Sequence, residues 1–300
     1  MHLISIFLPF ATLTSFKNMI IVKNKILTSK LLAIFLPLKN TRKAMSTVQE
    51  QKVNIKSQTI NYVKVGEGDK KVLCFPGALG TIWSDFKPQI KGLDRSKLTI
   101  VAWDPPGYGY SRPPNRSFDV DFYENDADNA YDFMTQLGIQ KYSLLGWSDG
   151  GISSMILAAK HPESIEKLVI WGANSYVLPE EIDKYEKIRD ISKWSDKMKA
   201  PLIELYTEKG LQDMWNDWCD TLIKIRNDGG NICKDCLVNI ECPTLILHGD
   251  KDPMVAPEHP DYLFSNIKTT KLHRFPDGKH NIHLKYAEEF NQIVTDFLLS

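Results

Sequence analysis

One serine of the sequence stands where a covalent nucleophile is expected. Ser148 lies in GWSDGG, residues 146–151, directly after the apolar run YSLLG and directly before ISSMILAAKH. A strand, a sharp turn and a helix in this order place the hydroxyl of the turn residue at the edge of a sheet. Glycines are needed around such a turn because flanking side chains would clash. We predict that Ser148 is a nucleophile rather than an ordinary turn residue.

The nucleophile needs a base, because a serine hydroxyl is weakly nucleophilic by itself. Of the seven histidines, His280 follows a predicted strand and a glycine-containing loop, and it precedes the last predicted helix. Such a loop faces the same sheet edge as Ser148. His283 falls at the start of the helical pattern and is interpreted as structural. We predict that His280 is the general base.

The base in turn needs a carboxylate that fixes its tautomer and stabilises the imidazolium ion. The run TLILH leads into GDKDPMV, which offers Asp250 and Asp252. Asp252 lies further into the loop and precedes Pro253, which favours an extended backbone, so we prefer Asp252. The chain order serine, aspartate, histidine is that of the α/β-hydrolases.

Acyl transfer also requires backbone N–H groups that bind the oxyanion of the tetrahedral intermediate. One donor is predicted to be the N–H of Asp149, the residue after the nucleophile. The second is predicted in PGALG, residues 76–80, where either Ala78 or Leu79 supplies the amide. This chemistry needs no cofactor and no metal, and none is expected.

The cysteines offer one alternative that involves a metal. Cys233 and Cys236 are spaced as in zinc sites and Cys242 follows, but a fourth ligand at standard spacing is missing. We interpret them as isolated thiols. Five cysteines, an odd number, favour a reducing compartment without a disulfide framework.

The elements that must position these residues alternate between β-rich and amphipathic runs. Several of the β-rich runs are uninterrupted and apolar, as is typical of parallel strands that are covered on both faces. The first two alternate in polarity and predict an antiparallel hairpin at the sheet edge. The predicted strands are residues 53–56, 60–65, 72–76, 99–103, 142–146, 167–171, 244–248 and 271–275.

Helices are predicted between these strands, at residues 121–137, 151–160 and 284–298. Residues 174–241 interrupt the alternation, because they are polar and predict several helices without a strong strand. We predict an α/β fold over residues 50–300, with a doubly wound, mostly parallel sheet. The interruption is predicted to be an inserted helical cap over the edge where ligands bind. Its tryptophans are interpreted as core residues.

The first 49 residues differ from the rest in charge. They contain seven basic residues and no acidic one, whereas the remainder carries 30 basic and 37 acidic residues. An acid-free, lysine-rich, partly apolar leader is typical of a transit peptide, so mitochondrial localisation is predicted. The alternative is a cytoplasmic protein whose translation starts at Met45. The apolar runs of the leader are interrupted by prolines and are too short for stable membrane insertion.

The whole chain has equal numbers of acidic and basic residues, 37 of each, which gives no reason to expect a nucleic-acid partner. Its composition, 43% hydrophobic and 25% charged, excludes a disordered chain and leaves enough apolar residues for a substantial core. We expect a monomer whose partner is a small-molecule ester.

Longer stretches narrow the class. The motifs VAWDPPGYGYSRPP, LLGWSDGGI, VIWGAN, DGGNIC and GKHNIHL resemble the α/β-hydrolases and, among them, the valacyclovir hydrolase (biphenyl hydrolase-like) family. The resemblance extends from about residue 50 to the end of the chain. It implies a serine hydrolase that cleaves esters of α-amino acids, including amino-acid ester prodrugs of nucleoside analogues. It also implies an association with mitochondria.

The side chain of Asp149 has two interpretations. A carboxylate this close to the acyl centre would attract an α-ammonium group of the substrate, but it could equally satisfy free N–H groups of the helix. The resemblance favours recognition of the ammonium group, with Asp149 as a substrate-binding residue. Two alternatives for function stay open: a C–C bond hydrolase or aminopeptidase of the same fold, and a receptor without turnover.

Overall fold

An eight-stranded sheet runs through residues 48–300, the part of the chain that the computed structural model describes. Each predicted strand is present, with its ends within two residues of the predicted bounds. The spatial order of the strands is β1-β2-β4-β3-β5-β6-β7-β8. In chain order they are β1 Gln51–Ile55, β2 Gln58–Val65, β3 Lys70–Phe75, β4 Leu98–Trp103, β5 Tyr142–Trp147, β6 Ile165–Trp171, β7 Thr244–Gly249 and β8 Thr270–Phe275.

The strand directions agree with the hydrophobic patterns. The predicted hairpin is present: β1 and β2 are antiparallel at one edge of the sheet, with Val53 opposite Ile60, although residues 60–63 of β2 are all buried. Strand β2 is also antiparallel to β4, and every further pairing is parallel. A parallel sheet gathers the carboxyl ends of its strands at one edge, which is why residues distant in the chain can form a site there.

Helices cover both faces of the sheet. Leu73 of β3 packs into a core cluster on one face, which includes Phe133 and Ile156, while its neighbour Cys74 packs into the opposite cluster with Phe86. This alternation follows from the two-residue period of a strand. The helices of the sheet layers are α1 Ile82–Asp85, α2 Lys87–Gly92, α3 Phe122–Gln136, α4 Asp149–Lys160, α8 Glu258–Asn266, α9 Ile282–Lys285 and α10 Ala287–Leu299.

Between β6 and β7 the chain is helical. It forms α5 Glu181–Ile188, α6 Asp196–Tyr206 and the 20-residue α7 Glu208–Asn227, together with two short 3₁₀ helices. The amphipathic α7 buries Leu211, Trp215 and Trp218 among other side chains. We refer to this insertion, residues 174–241, as the cap.

Two predicted helices differ from the observed ones. The predicted helix 284–298 is two helices, α9 and α10, because the backbone at Tyr286 leaves the helical region (φ −113°, ψ 42°). Helix α4 begins at Asp149 rather than at residue 151. The predicted leader, residues 1–49, lies almost entirely outside the described residues. None of the helices within residues 48–300 combines the length and the apolar composition that a membrane span requires.

Candidate active site

Ser148 occupies a strained turn between β5 and α4. Its backbone has φ 54° and ψ −122°, a left-handed conformation that is unfavourable for a residue with a Cβ. The turn is tight: a Cβ at Gly146 would lie 2.5 Å from Ser154 Oγ. A Cβ at Gly150 would collide with the carbonyl oxygens of Phe75 and Pro76. These close approaches explain the two glycines, and they bring the loop after β3 against the serine.

The structure brings the three predicted catalytic side chains together. His280 Nε2 lies 3.1 Å from Ser148 Oγ, and His280 Nδ1 lies 2.8 Å from Asp252 Oδ2. With the proton on Nδ1, the imidazole donates to Asp252 and accepts the proton of the serine hydroxyl at Nε2. The arrangement can therefore deprotonate Ser148 as it attacks a carbonyl carbon. Their catalytic roles stay predictions.

The carboxylate of Asp252 is held on both oxygens. Oδ2 faces His280, while Oδ1 accepts hydrogen bonds from the N–H groups of Met254 at 2.8 Å and Val255 at 3.1 Å. Burial alone would raise the pKa of Asp252, but His280 and the two N–H groups lower it below its usual value. Asp250, the alternative acid, instead pairs with Arg274 at 2.9 Å.

Backbone amides are available near the nucleophile. Among the described residues, the N–H groups of Asp149, Ala78 and Leu79 donate to no acceptor. The N–H of Leu79 lies near Tyr108 and counteracts part of the rise that burial causes in the pKa of that phenol. The loop that carries these amides is adjacent to the serine, since a Cβ at Gly77 would lie 3.2 Å from Ser148 Cβ. The choice between Ala78 and Leu79 for the second oxyanion donor stays a prediction.

The side chain of Asp149 does not cap the helix that it begins. Its Oδ1 accepts a hydrogen bond from Tyr123 Oη at 3.0 Å, and its Oδ2 accepts one from Trp218 Nε1 at 2.8 Å. Burial raises the pKa of Asp149 to about 6, while the two hydrogen bonds partly oppose the rise. A carboxylate has about four acceptor positions, so capacity remains for one more donor. Of the two interpretations of Asp149, helix capping is therefore wrong.

Within residues 48–300, no cation forms an ion pair with Asp149. The side chain of the nearby Arg116 is buried and forms a bidentate ion pair with Asp126, with nitrogen–oxygen distances of 2.9 and 2.6 Å. Arg116 also lies over the ring of Tyr108, 4.3 Å from its centroid. Arg116 also lowers the pKa of Asp149. When Asp126 and Asp149 are both ionised, however, the one cation faces two anions, so the three side chains together carry a net negative charge.

Two residues of this arrangement escaped the sequence analysis. Trp218 of the cap was interpreted as core, and its ring is buried and stacks on Trp215, but its Nε1 contacts Asp149. Tyr123 lies in α3, at a position that the helix prediction covered without a role. The only signal for them is the unusual acid after the nucleophile, which requires donors if it is buried.

His283 has a structural role, in agreement with its interpretation. The side chain is fully buried and accepts a hydrogen bond from Trp171 Nε1 at 2.9 Å. Burial and the neighbouring His280 hold its pKa well below the usual value. Trp147 packs between the two histidines, with its ring centroid 5.3 Å from His280 and 4.5 Å from His283.

The five cysteines are free thiols, and Cys236 Sγ points to the carbonyl of Cys233 at 3.1 Å. Within residues 48–300, no group of three or more His, Cys, Asp or Glu side chains is placed to hold a metal ion.

These features define an α/β-hydrolase: a mostly parallel sheet, a strained turn at the serine, and the chain order serine, aspartate, histidine. A family model for the alpha/beta hydrolase fold matches residues 70–205. The chain is 48% identical to serine hydrolase BPHL of Mus musculus over 254 residues, which cover 84% of this chain and 87% of that protein. The human serine hydrolase BPHL is 47% identical with the same coverage. The chain therefore belongs to the α/β-hydrolase family, in the branch that contains these two proteins.

More distant proteins share the fold. The meta-cleavage product hydrolase CumD from Pseudomonas fluorescens IP01 superposes with a TM-score of 0.69 at 21% identity, covering 83% of this chain and 97% of its own. The 2-hydroxy-6-oxo-6-phenylhexa-2,4-dienoate hydrolase from Rhodococcus sp. strain RHA1 gives 0.70 at 17% identity, covering 85% and 99%. At such identities the likeness concerns the fold alone.

Proposed function

We propose that this protein is a serine hydrolase that cleaves esters of α-amino acids, including amino-acid ester prodrugs, through an acyl-enzyme intermediate. The observation that carries the proposal is the unpaired Asp149 carboxylate, buried directly after Ser148. The relatives at 47–48% identity, both named serine hydrolase, support the general class.

The reaction follows from the geometry. Ser148 Oγ attacks the ester carbonyl carbon while His280 Nε2 takes the hydroxyl proton, and Asp252 stabilises the imidazolium ion. The N–H groups of Asp149 and of Ala78 or Leu79 hold the oxyanion. Collapse breaks the bond to the alcohol, which receives the proton from His280. Water then attacks the acyl-enzyme in the same manner and releases the amino acid and free Ser148.

Asp149 supplies the specificity. A substrate whose carbonyl carbon lies at Ser148 Oγ carries its α-ammonium nitrogen two bonds from that carbon, where the next residue in the chain, Asp149, would bind it. Attraction between the two charges is strong there because the site is largely removed from water. The same carboxylate repels negatively charged substrates in general. This weighs against a C–C bond hydrolase, such as the dienoate hydrolase that resembles the chain in fold, whose substrate is named as an acid.

The test is a comparison of matched esters with the purified protein. An aminoacyl ester, its N-acetylated form and an acidic ring-cleavage product would be assayed together, with labelling of Ser148 by a fluorophosphonate. We expect labelling and a much higher kcat/KM for the free amine than for the N-acetyl ester. Labelling with a preference for the ring-cleavage product would instead identify a C–C bond hydrolase. A protein that is not labelled would be a receptor rather than an enzyme.

We also propose that the protein is a monomer that is imported into mitochondria, with the basic leader acting as a cleaved transit peptide. N-terminal sequencing of the protein from cells is expected to find most of residues 1–44 removed. An acetylated Ser46 on cytoplasmic protein would instead indicate initiation at Met45. Light scattering on the purified protein would test the monomer.

A further inference from the structure

The oxyanion loop, residues 77–80, contacts a buried carboxylate that the catalytic scheme does not use. Asp85 is 4% exposed, and its Oδ2 accepts a hydrogen bond from Gly77 N–H at 3.0 Å. Its Oδ1 accepts one from Ser84 Oγ at 2.6 Å. A Cβ at Gly80 would collide with the same carboxylate. Both ends of the loop therefore rest on Asp85.

A residue of the cap also contacts this loop. Tyr206, the last residue of α6, donates its hydroxyl proton to the carbonyl oxygen of Leu79 at 3.1 Å. The hydroxyl in turn accepts a hydrogen bond from Gly109 N–H at 2.9 Å, which fixes its direction. The guanidinium of Arg112 lies over the Tyr206 ring at 4.6 Å and donates to the carbonyl of Leu205 at 2.5 Å. The phenol is 3% exposed.

The loop between these two supports is strained. Leu79 has φ 61°, a left-handed conformation that a non-glycine residue adopts only when its surroundings impose it. One hydrogen bond within the loop, from Gly80 N–H to Gly77 O at 3.0 Å, contributes to this shape. The direction of the Ala78 and Leu79 amides depends on the loop conformation, so the contacts that impose it also aim the amides.

We propose that Asp85 and Tyr206 are positioning residues that clamp the oxyanion loop, so that its free amide faces the oxyanion formed at Ser148. The inference rests on the proposed function, since it assumes that the loop supplies an oxyanion donor. Neither residue touches the substrate. Their contribution appears in the transition state, where charge develops on the oxygen, and much less in substrate binding.

The test uses an uncharged short-chain nitrophenyl ester, which makes it independent of amine recognition. Removal of an oxyanion donor typically lowers kcat by about 100- to 1,000-fold. A donor that is displaced rather than removed still stabilises the oxyanion in part, so the loss of kcat is expected to be smaller. We expect Asp85→Leu to lower kcat by about 30- to 300-fold and Tyr206→Phe by about 5- to 30-fold, with KM changed less than about threefold. Asp85→Asn keeps an acceptor for Gly77 N–H and is expected to restore most of the activity.

A second readout separates positioning from a general structural role. Affinity for an alkyl boronic acid, which forms a tetrahedral adduct with a serine hydroxyl, should fall across these variants in proportion to kcat/KM. Tyr142→Phe is the matched control, because Tyr142 is buried in β5 and its hydroxyl has no partner among the described residues. It should leave kcat and boronate affinity unchanged.

The outcomes are distinct. If wild-type protein is active but Tyr206→Phe and Asp85→Leu keep kcat and boronate affinity, the clamp is wrong. The same holds if folded Asp85→Asn, checked by circular dichroism, loses as much activity as Asp85→Leu. If Asp85→Leu does not fold, Tyr206→Phe decides by itself: unchanged kcat and boronate affinity in this variant would overturn the clamp. If the wild type neither reacts with a fluorophosphonate nor hydrolyses any ester, it is the proposed function that fails.

Discussion

Two carboxylates flank the nucleophile, and their surroundings move their pKa values in opposite directions. Asp252, on the His280 side, has a pKa below its usual value, because an imidazole and two N–H groups outweigh burial. Asp149, on the cap side, has a pKa raised to about 6, because burial outweighs its two neutral donors, Trp218 and Tyr123. Both are nearly inaccessible to water.

The two carboxylates differ in whether the protein supplies a cationic partner for them. Asp252 already has a partner that becomes a cation during the reaction, so its charge is satisfied inside the protein. Asp149 has two neutral donors but, in the part of the chain that the structure describes, no cation of its own, because the nearby Arg116 forms its ion pair with Asp126. A buried, unpaired charge is unfavourable, and a cation from the substrate would relieve it. Under the proposed function, the first carboxylate would serve catalysis on every ester, whereas the second would select among esters.

The largest effect is expected from replacing Ser148, the nucleophile that lies between the Asp252 side and the Asp149 side of the site. Ser148→Ala should lower kcat by several powers of ten, equally for charged and neutral esters, because covalent catalysis is lost. Rates of hydrolysis and fluorophosphonate labelling would measure this. Ser153→Ala is the matched control, since Ser153 follows closely in α4, is buried, and has a hydroxyl without a partner among the described residues. Substantial turnover by Ser148→Ala would place the nucleophile elsewhere.

The next effect concerns the His280 side alone. Asp252→Asn should lower kcat by about 1,000- to 10,000-fold for all esters, because the amide favours the wrong imidazole tautomer. Asp250→Asn should change kcat by less than about fivefold, because Asp250 pairs with Arg274 at a solvent-exposed position. Steady-state kinetics on one neutral ester would rank the two variants. The reverse ranking would show that Asp250 is the catalytic acid.

On the Asp149 side, the effect should depend on the substrate. Asp149→Ala should lower kcat/KM for α-amino esters by about 30- to 1,000-fold, which corresponds to about 2–4 kcal/mol for a partly desolvated charge pair. Asp149→Asn should act in the same direction and preserves the shape of the site. Both should retain most activity on a neutral nitrophenyl ester, because the backbone N–H of residue 149 remains. An equal loss on both substrates would limit Asp149 to supporting the turn.

The same comparison predicts a pH dependence. As pH falls through about 6, Asp149 takes up a proton and its attraction for the ammonium group is lost. As pH rises past about 7–8, the substrate amine becomes neutral. The ratio of kcat/KM for an aminoacyl ester to that for its N-acetyl form should therefore peak between these values. In Asp149→Asn the ratio should vary little with pH below the pKa of the amine, and an unchanged peak would contradict the assignment.

The smallest effect tests the donors that hold Asp149. Trp218→Phe or Tyr123→Phe removes one hydrogen bond that stabilises the ionised carboxylate, so the pKa of Asp149 should rise further. We expect the acid limb of the selectivity ratio to move to higher pH and kcat/KM for amino esters to fall by about 3- to 10-fold near neutral pH. Trp215→Phe is the control, since its Nε1 donates to the carbonyl of Ile188 instead. Equal shifts in all three variants would point to a packing effect.

Much of the fold could be predicted from the sequence because the relevant signals are local. Strands such as β4 and β7 are continuous apolar runs, and the alternating β1 and β2 adjoin a short turn. Since the carboxyl ends of parallel strands meet at one edge, Ser148, Asp252 and His280 could also be predicted to lie together. The break at Tyr286 could not, because the helical periodicity continues through it.

The positions of the residues that surround the site depend on contacts between parts of the chain that are distant in sequence. Trp218 reaches Asp149 across 69 residues, and Tyr206 reaches Leu79 across 127. A tryptophan on the apolar face of an amphipathic helix has the same periodicity whether its ring only fills the core or its N–H also serves a carboxylate. The sequence by itself determined the sheet and the type of chemistry, through hydrophobic pattern and local turn composition. Only the tertiary structure decided which donors hold Asp149 and the oxyanion loop, because the path of the cap over the sheet places those side chains.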